Sequence, residues 1–124
     1  MFDWKGYLDL ANKLIKQDIN VLINEACWRS AVSRAYYACF HKARAFAYSQ
    51  GFQPPPKQKL WKEHKEIPHF LIKQVNSNLK KVGVDLKRLS KNRRDCDYEP
   101  LVKNIKSLAE SSVMIASKIF QGIP

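Results

Sequence analysis

Acidic residues are scarce in this chain of 124 residues, which contains 11 Asp and Glu against 22 Lys and Arg, a formal net charge of +11. Between Arg29 and Arg94 the only acids are Glu63, Glu66 and Asp85. Clustered cations gain free energy by displacing counterions from a closely charged strand, so this imbalance favours a polyanionic partner, RNA or DNA before a phospholipid surface. A basic surface that only aids solubility is the alternative.

Disulfide, signal and membrane-spanning patterns are missing. The three cysteines, Cys27, Cys39 and Cys96, are odd in number. Two of them lie between apolar neighbours in helical patterns, which favours free thiols in a reducing compartment. No run approaches the roughly 18 apolar residues needed to span a bilayer, and the first residues lack a signal-peptide pattern. We therefore expect a cytoplasmic protein with no membrane partner.

Metal and cofactor motifs are missing as well. His64 and His69 are five residues apart with Pro68 between them, so they do not share the i, i+4 spacing of a helical metal pair. Neither the cysteines nor the histidines have zinc spacing, and there is no glycine-rich phosphate loop. We expect no metal and no cofactor.

Hydrophobic periodicity predicts helices along the chain and no strand, which indicates an all-α, up-and-down bundle of four to five helices. The length allows one domain, residues 1–124. The first predicted helix covers about Asp3–Lys16 with Asp3 as its N-cap, and a long second helix runs from Asn24 or Glu25 to Gln50 and ends at Gly51. A mobile loop with one helical turn is predicted over Lys57–Glu66. Three more helices are predicted: one from Pro68 to Gly83, a short one over Asp85–Asn92, and a last one from about Pro100.

The long second helix has the clearest buried face, formed by Val32, Tyr36, Cys39, Phe40, Ala43 and Ala47. We expect Tyr36 in the core and Tyr37 at the border of a dimer interface. Arg34 and His41 are seven residues apart and therefore share one side of the helix, which makes them secondary candidates for a cleft. A surface arginine and a hydrogen-bonded interior histidine are the alternative.

Polar residues gather before the last predicted helix, and Arg93, Asp97 and Tyr98 are the candidates there for catalysis. Arg93 suits phosphate, because its planar fork binds two oxygens at once and a nearby helix N-terminus would add a favourable dipole. In the alternative, Asp97 caps the last helix and pairs with Arg93, while Tyr98 packs against the second helix. Nucleic-acid contacts are predicted for Lys80, Lys81, Lys87, Arg88, Lys91, Arg93 and Arg94.

Two motifs resemble those of HEPN domains. The run Ser33–His41, Ser-Arg-Ala-Tyr-Tyr-Ala-Cys-Phe-His, is similar to the long second helix of that family. Arg93-x-x-Cys96-Asp97-Tyr98 is similar to its Arg-x-x-Ala-Asp-Tyr signature. The resemblance implies a small helical bundle that dimerises with its arginine-containing turns lining a shared cleft. It also implies relatives that are ribonucleases of toxin and antiviral systems, many of them encoded beside a nucleotidyltransferase.

The chain departs from the nuclease members of that family, in which a histidine follows the arginine by a few residues. Here Asp95 to Pro100 follow, without a histidine. RNA cleavage without a metal needs a group to take the 2′-hydroxyl proton, a task that histidine performs well near neutral pH and tyrosine performs poorly. The resemblance thus supports phosphate binding better than cleavage, and in some relatives a tyrosine near this motif is instead modified by nucleotide addition.

Two hypotheses follow for the function. In the first, the protein is an RNA- or nucleotide-binding homodimer, the toxin-like half of a pair with a nucleotidyltransferase. In the second, it is a non-catalytic module that binds or regulates a nucleotidyltransferase or another partner.

Overall fold

Five α-helices make up the fold, and the computed structural model describes all of residues 1–124. They are α1 (Lys5–Leu14), α2 (Val21–Ser49), α3 (Glu63–Ile72), α4 (Ser77–Tyr98) and α5 (Ile105–Gly122), with a 3-10 segment over Lys57–Lys62. The central helix α2 packs against the other four. The predicted all-α bundle is confirmed, and none of the helices combines the length and apolar character needed to cross a membrane.

The predicted buried face of α2 is confirmed, since all six of its residues are buried. Tyr36 is fully buried, as expected. Small side chains let the neighbouring helices approach α2 closely, because an alanine adds little bulk between two backbones. The buried alanines of α2 are Ala31, Ala35, Ala38, Ala43 and Ala47.

The ends of the first two helices follow their capping residues. Asp3 accepts a hydrogen bond from the backbone N–H of Lys5 at 3.0 Å, in agreement with its predicted capping role. The predicted start of α2 at Asn24 or Glu25 is wrong, because the side chain of Asn20 accepts from the N–H of Ile23 at 3.0 Å and starts the helix earlier. Gly51 follows α2 with a φ of +89°, a conformation that favours glycine.

The division of the chain between Lys57 and Asn92 differs from the prediction. Residues 63–66 form the first turn of α3 and are not a loop, and Pro68 lies inside α3. The predicted boundary at Gly83 is wrong, because the single helix α4 continues through this residue. Asn76 starts α4 by accepting from the N–H groups of Asn78 and Leu79. A Cβ on Gly83 would lie 2.7 Å from the carbonyl oxygen of Pro68, so glycine here permits helix contact and does not end a helix.

The predicted start of α5 at Pro100 is also wrong, because α5 begins at Ile105. Proline disfavours helical backbone in the residue before it, and Glu99 is extended with a ψ of 126°. Pro100 therefore ends α4. Residues 93–98 form the last turns of α4, so the predicted dipole of a following helix N-terminus does not reach Arg93.

Candidate functional site

A cavity of about 830 Å³ lies between α3 and α4, with one wall also formed by the end of the 3-10 segment. Such a volume suits a small ligand or one or two nucleotides. The cavity is basic, since five cationic side chains face it together with the single acid Glu66. Its lining residues are Trp61, Lys62, His64, Lys65, Glu66, Pro68, His69, Ile72, Lys87, Ser90, Arg93 and Arg94.

Arg93 is the buried cation of this cavity, with a side chain that is only 10% exposed. Its guanidinium carbon lies 5.2 Å from the ring centre of Tyr36 and 5.7 Å from that of Tyr37. Its ion-pair partner is Asp97, through one 3.4 Å contact from Nη1 to Oδ2. The Nε atom is buried and has no partner. A guanidinium offers five N–H donors, so most of the capacity of Arg93 is unused within the protein.

His64 stands at the start of α3 and is held by the buried face of α2. Its Nδ1 atom lies 2.5 Å from the hydroxyl oxygen of Tyr36, and its ring stacks on Phe40 with centres 4.2 Å apart. Its Nε2 atom has no partner in the protein and is not sealed from solvent. The imidazole therefore has a fixed orientation and one free nitrogen.

The surroundings of His64 and Tyr36 determine the protonation state of both side chains. Burial lowers the pKa of His64 below its ordinary value of 6.5, and the nearby charges of Arg93 and His41 add to this effect, while Glu63 opposes it. Burial raises the pKa of Tyr36 to about 12, although a hydrogen bond with Ser90 and the charge of Arg93 act in the other direction. At neutral pH the imidazole is thus uncharged and the phenol keeps its proton.

A buried carboxylate anchors the first turn of α3. Glu63 is 2% exposed, and its oxygens accept from Nε of Arg44 at 3.2 Å and from the hydroxyl of Tyr48 at 2.7 Å. Both donors come from α2. The residue next to His64 is therefore tied to the same helix that holds the His64 ring, which limits movement of the site.

Three of the predicted nucleic-acid contacts, Lys87, Arg93 and Arg94, lie on the cavity wall. The other four lie elsewhere on α4. Lys80 donates to the carbonyl oxygen of Ile72 at 3.2 Å, and Lys91 pairs with Asp95 at 2.8 Å. Lys81 borders a smaller depression of about 190 Å³ next to α5, and Arg88 is exposed. The structure therefore brings only three of the seven predicted nucleic-acid-binding residues to the cavity.

The remaining predicted residues lie outside the cavity wall. Asp97 contacts Arg93 from the last turn of α4, so the alternative in which it caps the last helix is wrong. Tyr98 is 76% exposed, which contradicts its predicted packing against α2. Arg34 lies over the ring of Tyr7, with 4.9 Å from its guanidinium carbon to the ring centre.

His41 stacks on Trp4 with ring centres 3.7 Å apart. Like Arg34, it approaches Tyr37, so the two residues share one side of α2, as their spacing predicts. The predicted hydrogen bond of an interior His41 is not formed, and its ring contacts aromatic side chains.

His64 is a member of this site that was not predicted from the sequence. Its spacing from His69 bears only on a metal pair. No local spacing could have found it, because its contact with Tyr36 joins residues that are 28 positions apart. The one signal in the sequence was Tyr36 itself, because a buried tyrosine hydroxyl needs a hydrogen-bond partner.

The comparisons with known proteins agree with the helical architecture. The family model for the HEPN domain matches residues 7–123, almost the whole chain. No curated protein and no solved structure shows significant similarity to the chain. The family match suggests a nucleotide- or RNA-related or ribonuclease-like module, and the chain therefore belongs to the HEPN domain family.

Proposed function

We propose that this protein binds single-stranded RNA, with a backbone phosphate held by Arg93 in the cavity between α3 and α4. The observation that carries the proposal is the unused capacity of Arg93. Its buried guanidinium has one long contact to Asp97 and an Nε without a partner, yet it faces a cavity. A phosphate would accept two of its hydrogen bonds at once.

The surrounding charge supports a polymer over an isolated phosphate. Lys62, Lys65, Lys87 and Arg94 line the same cavity and add positive charge around Arg93. Successive phosphates of a strand would contact successive cations and release counterions. The exposed ring of Trp61 at the rim offers a face on which a base could stack.

The proposal also covers oligomeric state and partners, which rest on family membership. We expect a homodimer with a shared cleft and a nucleotidyltransferase as the partner of a toxin-like pair. The product of a neighbouring gene is the first protein to test for complex formation. A non-catalytic module that only regulates such a partner would bind it and leave RNA unbound.

The test is binding of a fluorescein-labelled RNA oligonucleotide, measured by anisotropy across a salt series. Contact with about five phosphates predicts a slope near −3.5 for the logarithm of affinity against the logarithm of salt concentration. Lys87→Gln should reduce that slope by about 0.7. The matched control is Lys106→Gln, because Lys106 is exposed on α5 and lies outside the cavity.

Arg93→Ala distinguishes phosphate binding from a scaffolding role. We expect it to weaken RNA binding by about 1.5 to 3 kcal/mol, the range for hydrogen bonds that involve a charged group. Stability should change little, because Asp97 is 31% exposed and stays solvated without its partner. Unchanged RNA affinity in this variant, or a loss of stability near 3 to 5 kcal/mol, would contradict the proposal.

A further inference from the structure

We propose that His64 takes the proton of the ribose 2′-hydroxyl in cleavage of the bound RNA, a role that this chain assigns to α3 and not to a residue after Arg93. The inference rests on the proposed binding of RNA at Arg93. Its basis is the geometry that surrounds Tyr36.

His64 and Arg93 approach the same tyrosine from two different helices. The ring centre of His64 lies 5.7 Å from that of Tyr36, and the guanidinium carbon of Arg93 lies 5.2 Å from it. Both residues line the cavity. A phosphate on Arg93 would therefore be presented beside an imidazole, the pairing of charge stabiliser and proton acceptor that RNA transesterification uses.

The hydrogen bond with Tyr36 engages Nδ1 of His64 and leaves Nε2 free. The reaction uses the tautomer in which Nδ1–H donates to the phenol oxygen of Tyr36. Nε2 then carries a lone pair and has no competing partner in the protein. Tyr36 is thus a positioning residue, and His64 is the catalytic one.

The charges around His64 keep the imidazole in its basic form. Arg93 from α4 and His41 from α2 disfavour the imidazolium, and burial disfavours it further. Glu63, the neighbour in α3, acts in the opposite direction, but its carboxylate is already engaged by Arg44 and Tyr48. Lys62 and Lys65 also lie on the same wall of the cavity and add positive charge.

The step balances with water as the only other reactant. The lone pair on Nε2 takes the 2′-hydroxyl proton, and the 2′-oxygen forms a bond to the adjacent phosphorus. The bond from phosphorus to the 5′-oxygen of the next nucleotide breaks, and that oxygen keeps the electron pair and takes a proton from water. The imidazolium returns its proton to the resulting hydroxide. The products are a 2′,3′-cyclic phosphate and a 5′-hydroxyl.

The experiment separates binding from cleavage. The purified protein is incubated with labelled single-stranded RNA in a chelator, and the termini and rates of the products are measured beside the anisotropy. We expect His64→Gln to lower kcat by at least about 100-fold, the lower end of the range for general base catalysis, with unchanged RNA affinity. An RNA with 2′-O-methyl groups should bind and remain intact.

Controls address folding and specificity. Lys106→Gln is the control, since Lys106 is exposed on α5 and lies outside the cavity. It should cleave like the unmodified chain. Imidazole added to His64→Ala should restore cleavage, which a merely structural histidine would not allow. The melting temperature of each variant shows whether it is folded.

The pH profile supplies a further readout. The value of kcat/KM should rise with pH along one limb centred below 6.5, which reports the free protein, and His64→Gln should lack that limb. Tyr36→Phe should lower the rate and move the limb. A His64→Gln protein that cleaves at the original rate, or an unmodified chain that binds RNA without cleaving it, would overturn the inference and leave the binding proposal standing. Absence of RNA binding would overturn both.

Discussion

The hydroxyl oxygen of Tyr36 lies 2.5 Å from Nδ1 of His64, and this hydrogen bond joins the middle of α2 to the first turn of α3. Tyr36 is fully buried, so its hydroxyl cannot turn to water for another partner. His64 is also stacked on Phe40. The same contacts that satisfy a core tyrosine therefore give the histidine one orientation at the edge of the basic cavity.

Stability should fall as the pH drops below 6.5, because the pKa values of His64 and His41 are both lowered in the folded protein. The unfolded chain binds these protons at higher pH than the folded chain does, so acid favours unfolding. The loss is at most about 1.4 kcal/mol per pH unit for each histidine. Urea unfolding between pH 7.5 and 5.5 measures it. His64→Gln should flatten the dependence, and an unchanged slope would contradict the assignment.

Gly83→Ala should destabilise the protein by about 1 to 3 kcal/mol, although alanine favours helices over glycine. The new Cβ would lie 2.7 Å from the carbonyl oxygen of Pro68 and 2.9 Å from the backbone nitrogen of Ile72, so α3 and α4 would have to separate. Gly6→Ala in α1 is the matched control, because its Cβ would meet nothing closer than Phe2 at 4.0 Å. Calorimetric melting of both variants compares them, and equal melting temperatures would disprove the close contact.

Arg29→Ala should cost about 2 to 3 kcal/mol of stability, because this side chain binds the carbonyl groups at the end of α4. Its Nη1 atom donates to the oxygens of Cys96 and Glu99, both at 2.8 Å, and Nη2 donates to that of Pro100 at 3.2 Å. Arg29→Lys should lose most of this contribution, since an ammonium lacks the planar fork.

Arg88→Ala is the comparison for Arg29, because Arg88 is exposed on α4 and should change stability by no more than about 0.5 kcal/mol. Denaturant unfolding of the three variants measures the differences. Similar values for Arg29→Ala and Arg88→Ala would show that the end of α4 needs no such cap.

Sedimentation at micromolar concentration should report twice the chain mass. Beyond family membership, the reason is that several large apolar side chains stay exposed near the start of α2, among them Val21 at 85% and Leu22 at 84%. Isolated apolar residues are common on surfaces, but adjacent ones favour an interface. Leu22→Asp should shift the mass toward that of one chain, and a monomeric unmodified protein would contradict the shared-cleft model.

The amino-acid pattern was sufficient for the architecture and for part of the lining of the candidate cavity. The face of α2 from Val32 to Ala47 follows from helical periodicity alone, because burial of apolar residues repeats with the turns of a helix. Arg93 followed from its motif, and Lys87 and Arg94 followed from the density of charge on α4. These patterns depend only on neighbouring residues, and Lys87, Arg93 and Arg94 all line the cavity in the structure.

The sequence did not predict helix boundaries correctly where a residue is compatible both with the end and with the interior of a helix. Pro68 and Gly83 are ordinary helix boundaries on local grounds, yet Pro68 lies within α3 and Gly83 within α4. The deciding factor at Gly83 is the approach of the two helix backbones, which no neighbouring residue in the sequence encodes. Pro100 was assigned to the start of a helix, but it acts on Glu99 and ends the preceding one.

The sequence by itself determined a basic, all-α HEPN chain with an arginine suited to phosphate, because composition, periodicity and motif spacing are properties of neighbouring residues. Only the tertiary structure decided which groups surround that arginine. His64 reaches the site through a hydrogen bond to a tyrosine 28 residues earlier, while Tyr98, the last residue of the arginine motif, is exposed to solvent. The packing of α3 and α4 against α2 determines which side chains surround Arg93, since it buries one face of each helix and leaves the other exposed.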